Sequence, residues 1–197
     1  MLGRQAKTLS AAMLGRAIAK ARLSAWPERD QTIVLLSVYA GLRAGEIAKL
    51  RWGMVLRADG RIGDLICLEA TISKYAGGRR IPLHRDLRLA LLALRRSLPA
   101  EGAAVGQPVI RSFRGGPMRA NSIVNWFTAL YRELGLEGCS SHSGRRTFIT
   151  IAARKAHKAG ASLRDVQLLA GHRSIETTQR YIDGDSDAQR RLVALLG

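Results

Sequence analysis

The segment Glu28–Trp52 reads ERDQTIVLLSVYAGLRAGEIAKLRW and contains the longest nearly apolar run of the chain. Its first part, Glu28–Ala40, predicts a largely buried helix. Gly41 predicts the end of that helix, because glycine readily adopts the left-handed conformation found after a last helical turn. Arg43 follows at once, and Ala44–Trp52 continues with a helical pattern. The segment therefore predicts two consecutive helices with an arginine at their junction.

Helical patterns continue on both sides of this segment. Residues 9–23 place apolar side chains near helical spacing, with Thr8 or Ser10 available as the N-terminal cap. Ser162 and Asp165 have the spacing of a capping box at the start of a later helix. In chain order, the further predicted helices are Asp86–Leu98, Asn121–Gly135, His142–Lys158, Ser162–Ala170, Ile175–Ile182 and Asp187–Leu196.

From Met54 onward the pattern changes to short apolar runs separated by turn residues, which is typical of strands. Leu65–Leu68 and Arg79–Leu83 are the predicted strands, and Lys74 is expected at the tip of the hairpin that joins them. The predicted fold class is therefore α+β and mainly α, with a small antiparallel β-sheet at one edge.

No internal repeat and no linker-like composition divides the chain. We therefore expect one domain over residues 1–197, with an N-terminal tail at 1–7 and a C-terminal tail or helix at 183–197. Within it, Asp187–Leu196 is amphipathic enough to need a partner surface.

The chain is strongly basic. It has 197 residues, with 32 Lys and Arg against 15 Asp and Glu, and a formal net charge of +17. With 47% hydrophobic and 24% charged residues, it has the composition of a globular protein rather than of a disordered basic tail. A folded chain of this charge predicts an anionic partner, with nucleic acid first and an anionic membrane surface second. The longest nearly apolar run, Ile33–Leu42, is too short for a membrane span.

Several common kinds of reactive site are absent from the sequence. There is no Walker-type phosphate loop, no His-Glu-x-x-His motif and no cluster of carboxylates. Cys67 and Cys139 stand far apart, so neither a Cys-x-x-Cys metal site nor a disulfide framework is indicated. We therefore expect a cytoplasmic protein whose chemistry uses no ATP, no metal ion and no other cofactor.

Arginine, lysine, histidine and tyrosine recur in four short blocks. The blocks are Gly41–Leu50 (GLRAGEIAKL), Lys74 with Arg79–Leu83 (RRIPL), His142–Phe148 (HSGRRTF) and Ala170–Tyr181 (AGHRSIETTQRY). Taken singly, an arginine in so basic a chain is more simply a solvated or phosphate-steering charge, and a lone histidine is more simply structural. Together and in this order, the blocks resemble the tyrosine recombinases of the phage integrase family, over about residues 8–185.

The resemblance implies a site-specific recombinase that cleaves and rejoins DNA through a 3′-phosphotyrosyl intermediate. Tyr181 is its implied nucleophile. Arg43 and Arg145 would hold the non-bridging phosphate oxygens, because a guanidinium offers paired donors and stays charged at neutral pH. His172 would add a further donor. Such phosphoryl transfer depends mainly on positioning and charge stabilisation, so the resemblance implies no metal and no cofactor.

Three more residues are implied to assist this reaction. Lys74 would protonate the departing 5′-oxygen. His142 would help to manage the proton of the Tyr181 hydroxyl, whose ordinary pKa of about 10 makes it a poor nucleophile without assistance. Glu46, three residues after Arg43, lies on a neighbouring helical face and would orient an arginine.

Two features depart from the family pattern. The second arginine block usually reads His-x-Leu-Arg, and here Gly144 stands before Arg145. Glycine in a helix costs about 1 kcal/mol relative to alanine, and we expect it to loosen how Arg145 is held. Most members also carry a helical DNA-clamping domain before the segment that begins here near Thr8. The chain is therefore expected to be either an excised catalytic fragment or a short recombinase similar to the fimbrial phase-variation invertases.

The resemblance also implies partners and a location. We expect double-stranded DNA as the substrate, a monomer or weak dimer in solution, and a homotetramer on paired DNA sites. An accessory DNA-bending protein is a further expected partner. The C-terminal helix would dock on a neighbouring protomer or fold back on its own domain. The chain is expected to belong to a mobile genetic element and to act in the cytoplasm, associated with the nucleoid.

Two alternatives remain open at this point. Ser162–Ile182 is predicted to form two short helices around Gly171, which is also the pattern of a helix-turn-helix. A non-catalytic DNA-binding regulator is therefore one alternative. A topoisomerase IB-like relaxing enzyme is the other, because it uses the same type of phosphotyrosine intermediate.

Overall fold

The computed structural model describes residues 6–72, 78–181 and 193–194 of the chain. Within these ranges the chain forms eight α-helices, several short 3₁₀ helices and one two-stranded antiparallel β-sheet. The fold is mainly helical with a small sheet, which confirms the predicted class. The elements are α1 (Ala11–Arg22), α2 (Pro27–Tyr39), α3 (Ala44–Lys49), β1 (Leu65–Leu68), β2 (Arg79–Pro82), α4 (Arg85–Arg96), α5 (Ala120–Glu133), α6 (Ser143–Lys155), α7 (Leu163–Ala170) and α8 (Ile175–Gln179).

The chain divides into two compact units, Met1–Phe148 and Ile149–Gly197. The first unit contains α1 to α5 with both strands, and the second contains α7 and α8. The division falls inside α6. The expectation of one domain over residues 1–197 stays a prediction.

Helix α2 is the buried centre of the first unit. Its residues Ile33, Val34 and Leu36 have no solvent exposure, and the helix packs against both α1 and α4. Pro27 occupies its first turn, where a missing N–H removes no helical hydrogen bond. Every residue from Thr32 to Val38 is buried, so the structure confirms the largely buried helix that the sequence predicts.

The helix predicted over Ala44–Trp52 is shorter than expected. After α3 the backbone of Leu50 is extended, and a 3₁₀ turn at Trp52–Met54 follows. The N–H of Val109 donates to the carbonyl of Leu50 at 2.8 Å. The chain leaves the helix because a partner about 60 residues away in sequence takes up this backbone carbonyl.

Strands β1 and β2 pair in antiparallel register, with Leu65 opposite Pro82 and Leu68 opposite Arg79. Alternate residues of both strands are buried, as expected for a sheet with one face against a core. Both predicted strands are therefore confirmed. Lys74, predicted at the tip of the hairpin, lies outside the described residues.

Helices α4 and α5 begin and end within two residues of their predicted bounds. Helix α4 begins after His84, whose Nδ1 accepts the N–H of Asp86 at 3.2 Å and caps the helix. Helix α5 buries Phe127 and Tyr131, whose rings stack with their centroids 5.7 Å apart. The helical spacing of Ile123, Phe127, Leu130 and Tyr131 thus places these four side chains on the buried face of α5.

The second unit also has the predicted helices, although they are shorter. Ser162 and Asp165 form the predicted capping box, in which the N–H of Ser162 donates to Oδ2 of Asp165 at 2.8 Å. Helix α8 ends at Gln179. The helix predicted over Asp187–Leu196 lies outside the described residues, except for residues 193–194, which are helical. No helix in the described part of the chain combines the length and hydropathy that a membrane span needs.

Candidate active site

A tight turn at Gly41 joins α2 to α3. Gly41 has a φ of +61°, in the left-handed region that glycine adopts without strain. A β-carbon at this position would overlap the ring of Phe148, so both the conformation and the available space require glycine. The N–H of Leu42 donates to the carbonyl of Leu36 at 3.2 Å and closes α2. This turn fixes where Arg43 leaves the backbone.

Arg43 is held by Glu46 in two ways. The backbone N–H of Arg43 donates to Oε2 of Glu46 at 2.8 Å, which caps the start of α3. The side-chain Nη1 of Arg43 donates to Oε1 of the same carboxylate at 3.0 Å. Glu46 is buried, whereas 21% of the Arg43 side chain is exposed. The carboxylate thus orients a guanidinium that a ligand can still reach.

Arg79 is a member of this cluster that the sequence did not identify as a site residue. It donates from Nη1 to Oε1 of Glu46 at 2.8 Å and from Nη2 to Oε2 at 2.9 Å, which is a two-pronged ion pair. Both side chains are buried. One sequence signal was present, because strand alternation places Arg79 on the same face as the buried Ile81.

The charge state of Glu46 follows from these contacts. Burial by itself raises the pKa of the Glu46 carboxyl, but the hydrogen bonds and positive charges of Arg79 and Arg43 outweigh burial. The net effect is a pKa below the ordinary value of 4.5. Glu46 is therefore an anion at neutral pH, and the three side chains together carry one net positive charge.

Arg145 approaches the same turn from α6. Its guanidinium Nη1 donates to the carbonyl of Gly41 at 2.6 Å, and only 4% of the residue is exposed. Gly41 is two residues before Arg43 in the chain. The first and third sequence blocks are thus in contact within the first unit, as a shared site requires.

Gly144, the departure from the family pattern, is a close-packing position. A β-carbon at this position would overlap the hydroxyl of Ser37 and lie 3.1 Å from Cγ2 of Val38. The absence of a side chain lets the start of α6 lie directly against α2. The structure thus gives Gly144 a packing role that the sequence did not indicate, and the expectation that it loosens Arg145 stays a prediction.

His142 immediately precedes α6. Its carbonyl accepts the N–H of Arg146 at 2.9 Å, and its N–H donates to Oγ of Ser140 at 3.2 Å. The residue is exposed. These backbone contacts hold His142 at the accessible N-terminal end of α6, and it stands three residues before Arg145 in the chain.

His172 and Tyr181 lie together in the second unit. Their rings are stacked, with the centroids 5.6 Å apart and the ring planes 23° apart. Nδ1 of His172 is 2.9 Å from Oγ1 of the fully buried Thr178, in hydrogen-bond contact. Because Thr178 holds Nδ1, the orientation of the imidazole is set by the helix that also ends next to Tyr181.

The backbone around His172 is held by Gln167, which sequence reasoning also missed. Gln167 is buried, and its Nε2 donates to the carbonyl of His172 at 3.0 Å. The N–H of His172 in turn donates to the carbonyl of Gln167 at 3.2 Å. These two bonds close the turn at Gly171, whose φ is +63°. The block Ala170–Tyr181 is thus a rigid turn followed by a short helix.

The described site residues therefore form two groups. In the first unit Arg43 pairs with Glu46 and Arg145 binds the carbonyl of Gly41, two residues before Arg43, and in the second unit the rings of His172 and Tyr181 stack. Lys74 lies outside the described residues. Within the described ranges, no three His, Cys, Asp or Glu residues are grouped as a metal site would need. Fixed guanidiniums, an imidazole and a phenol are groups that can act on a phosphodiester.

The family comparison agrees with this chemistry. The sequence profile of the phage integrase family matches residues 7–187. Tyrosine recombinase XerC of Xylella fastidiosa (strain 9a5c) is 31% identical over 154 residues, which are 78% of this chain and 48% of that protein. Tyrosine recombinase XerC of Methylobacterium sp. (strain 4-46) is 32% identical over 160 residues, which are 80% of this chain and 46% of that protein. The chain spans about half the length of the curated relatives it matches.

Solved structures share the fold. The crystal structure of XerA recombinase matches with a TM-score of 0.73 at 23% identity, covering 97% of this chain and 65% of that one. The Tn1549 transposon integrase in complex with transposon right end DNA matches with a TM-score of 0.75 at 19% identity, covering 99% and 67%. Since the family profile covers nearly the whole sequence, the chain belongs to the phage integrase family.

Proposed function

We propose that the chain cleaves and rejoins double-stranded DNA by transesterification, with Tyr181 as the nucleophile and a 3′-phosphotyrosyl ester as the intermediate. The observation that carries this proposal is that two arginines are anchored at the same turn, Arg43 by its place in the chain and Arg145 by a side-chain hydrogen bond. Arg145 donates to the carbonyl of Gly41, two residues before Arg43. Two fixed guanidiniums suit the non-bridging oxygens of a phosphodiester.

The two arginines would stabilise the charge on the phosphate oxygens while the phosphorus is attacked. Glu46 holds Arg43, and the carbonyl of Gly41 holds Arg145, so both guanidiniums are oriented before DNA binds. Neither loses its charge near neutral pH. Preorganised permanent charges of this kind lower the barrier because they need no rearrangement during the reaction.

The covalent step is balanced by two proton transfers. The hydroxyl oxygen of Tyr181 bonds to phosphorus, and the bond from phosphorus to the 5′-oxygen breaks. His142 takes up the phenolic proton, and Lys74 gives a proton to the departing 5′-oxygen. His172, oriented by Thr178, donates a hydrogen bond to the phosphate. The ester conserves the energy of the broken linkage, so that a 5′-hydroxyl can reverse the step and rejoin a strand.

Recombination also requires several copies of the chain to assemble on DNA. In our proposal four copies act on two paired DNA sites, and the free chain is a monomer or weak dimer. Residues 183–197 link neighbouring protomers, and an accessory protein bends the DNA in the nucleoid. Two relatives support DNA as the partner, since their structures hold transposon right end DNA and, for lambda integrase, a core site. The net charge of +17 predicts affinity that falls steeply with salt, through counterion release.

A covalent-adduct assay tests the proposal. A bound duplex is first selected from a random library, and a nick is then placed so that the cleaved fragment diffuses away and the adduct accumulates. We expect a covalent protein–DNA band on a denaturing gel for the parent chain and none for Tyr181→Phe. Tyr39→Phe is the matched control, because Tyr39 lies outside both groups of site residues and should leave the band intact.

The other outcomes separate the alternatives. A band that persists in Tyr181→Phe would show that another residue is the nucleophile. Binding of the selected duplex without a band in any variant would support a helix-turn-helix regulator. Relaxation of supercoiled DNA with a band, but without strand exchange between paired sites, would support a topoisomerase IB-like enzyme. The family match does not favour either alternative.

A further inference from the structure

Arg79 has no part in the chemistry derived so far, yet it is deeply embedded in the site. It is the first residue of β2, and only 5% of its side chain is exposed. Removing a guanidinium from water costs free energy, and a buried ion pair returns little net stability relative to apolar packing. Stability alone therefore does not account for Arg79, and its contact with Glu46 is the feature through which it can affect the site.

Arg79 fixes the orientation of the Glu46 carboxylate. Without Arg79, the Glu46 carboxylate would be held only by Arg43, the residue that it is meant to orient, through one donor to each oxygen. The planar fork of Arg79 engages both oxygens at 2.8 and 2.9 Å, so the carboxylate cannot turn without losing a bond. The lone pairs that remain point at the backbone N–H and the Nη1 of Arg43. The direction of Arg43 is thus set through Glu46 by a residue on the sheet.

Arg79 also changes the charge that Arg43 presents. If Glu46 served Arg43 alone, the pair would be neutral toward an approaching phosphate. Because Arg79 pairs with the same carboxylate, the three side chains retain one net positive charge. That charge lies nearer the surface on the partly exposed Arg43 than on the buried Arg79.

We propose that Arg79 is a positioning residue for DNA cleavage, which holds and neutralises Glu46 so that Arg43 stays aimed at the scissile phosphate and keeps its positive charge for it. The proposal rests on the proposed function, since it takes Arg43 as a phosphate ligand.

Three variants test it. Arg79→Met removes the charge and the fork, and Arg79→Lys keeps a charge but loses the fork. Arg80→Met is the matched control, because Arg80 is the next residue of β2 and lies on its exposed face. The measurements are the single-turnover cleavage rate on the nicked duplex at saturating protein, the affinity for that duplex, and the thermal midpoint.

Arg79→Met should cleave about tenfold to a hundredfold more slowly than the parent, the scale expected when a catalytic group is slightly misplaced. The cleavage rate of Arg79→Lys should lie between those of Arg79→Met and the parent, and Arg80→Met should cleave at the parent rate. Affinity for the duplex should change little in Arg79→Met, because Arg79 is buried and makes no DNA contact itself. If the role of Arg79 were purely structural, its replacement would lower the thermal midpoint, and the cleavage rate and the affinity for the duplex would not change separately.

The decisive readout is the coupling between Arg79 and Arg43. In an Arg43→Lys background, Arg79→Met should slow cleavage by a much smaller factor than it does in the parent, because the guanidinium that Arg79 positions is already gone. An equal loss in both backgrounds would overturn the proposal, as would an Arg79→Met or Arg79→Lys chain that cleaves at the parent rate. If Arg79→Met does not fold, Arg79→Lys carries the same comparison. Absence of cleavage by the parent would instead refute the proposed function, and this inference would fall with it.

Discussion

Glu46 holds two arginines at once, so replacing it with glutamine should destabilise the first unit strongly. The amide keeps the shape of the side chain but removes the negative charge. Arg79 then remains as a buried cation, with Arg43 beside it and no compensating charge from position 46. Both guanidiniums donate to the same oxygen, so loss of the carboxylate charge affects both pairs together.

The magnitude follows from the burial of the partners. Breaking a buried pair by removing one charge costs about 3–5 kcal/mol, and this applies to Arg79, whose side chain is 5% exposed. The pair with the more accessible Arg43 adds at most about 1 kcal/mol. We expect Glu46→Gln to lower the free energy of unfolding by about 3 kcal/mol or more.

Urea denaturation followed by circular dichroism measures this loss. The matched control is Asp59→Asn, which removes the carboxylate of an exposed pair, 3.2 Å from Arg57, with side chains 40% and 61% exposed. That substitution should cost no more than about 1 kcal/mol. A Glu46→Gln loss as small as the control loss, with an unchanged slope against urea, would refute the reasoning.

Three further predictions concern other contacts. Acidification should lower the free energy of unfolding of the parent more than that of Glu46→Gln. Folding lowers the pKa of Glu46, so the stabilisation from its carboxylate is present above pH 4.5 and is lost as the pH falls through the folded pKa. Unfolding curves recorded at a series of pH values measure this loss. Gly144→Ala should lower the free energy of unfolding by about 1–3 kcal/mol through overlap with α2. Gly15→Ala, with open space around it in α1, should instead raise it by about 0.5–1 kcal/mol, and thermal melts of the two variants distinguish these signs. Thr178→Val should slow cleavage without weakening DNA binding, because it removes the hydrogen bond that orients His172; a parent cleavage rate in this variant would contradict that role.

Much of the fold could be predicted because local patterns specify it. The apolar run of α2, the left-handed stop at Gly41 and the capping box at Ser162 all act within a few residues of chain. The early end of α3 could not be predicted in the same way. It depends on a hydrogen bond between Leu50 and Val109, and nothing in the local sequence indicates that Val109 is the partner.

The same distinction applies to the site. Arg43, Arg145, His172 and Tyr181 belong to recognisable short blocks, so the sequence identifies them without knowledge of their contacts. Arg79 was missed, because its partner Glu46 is 33 residues away and only the fold brings them together.

The close packing around Gly144 could not be predicted for a related reason. Helix propensity describes an isolated helix, in which alanine is better than glycine by about 1 kcal/mol. In the folded chain the space that a β-carbon needs is already filled by Ser37 of α2. Tertiary packing therefore reverses the sign of the local preference, and only the structure reveals which neighbour is responsible.

Mapping of the covalent adduct tests the central claim most directly. The trapped protein–DNA complex is digested with protease and nuclease, and the peptide that carries the residual nucleotide is sequenced by mass spectrometry. The account predicts a phosphotyrosyl bond at Tyr181, on the peptide that follows Arg180. A nucleotide attached to Tyr39, Tyr131 or any residue other than Tyr181 would contradict it, and so would a bound, nicked duplex that yields no modified peptide.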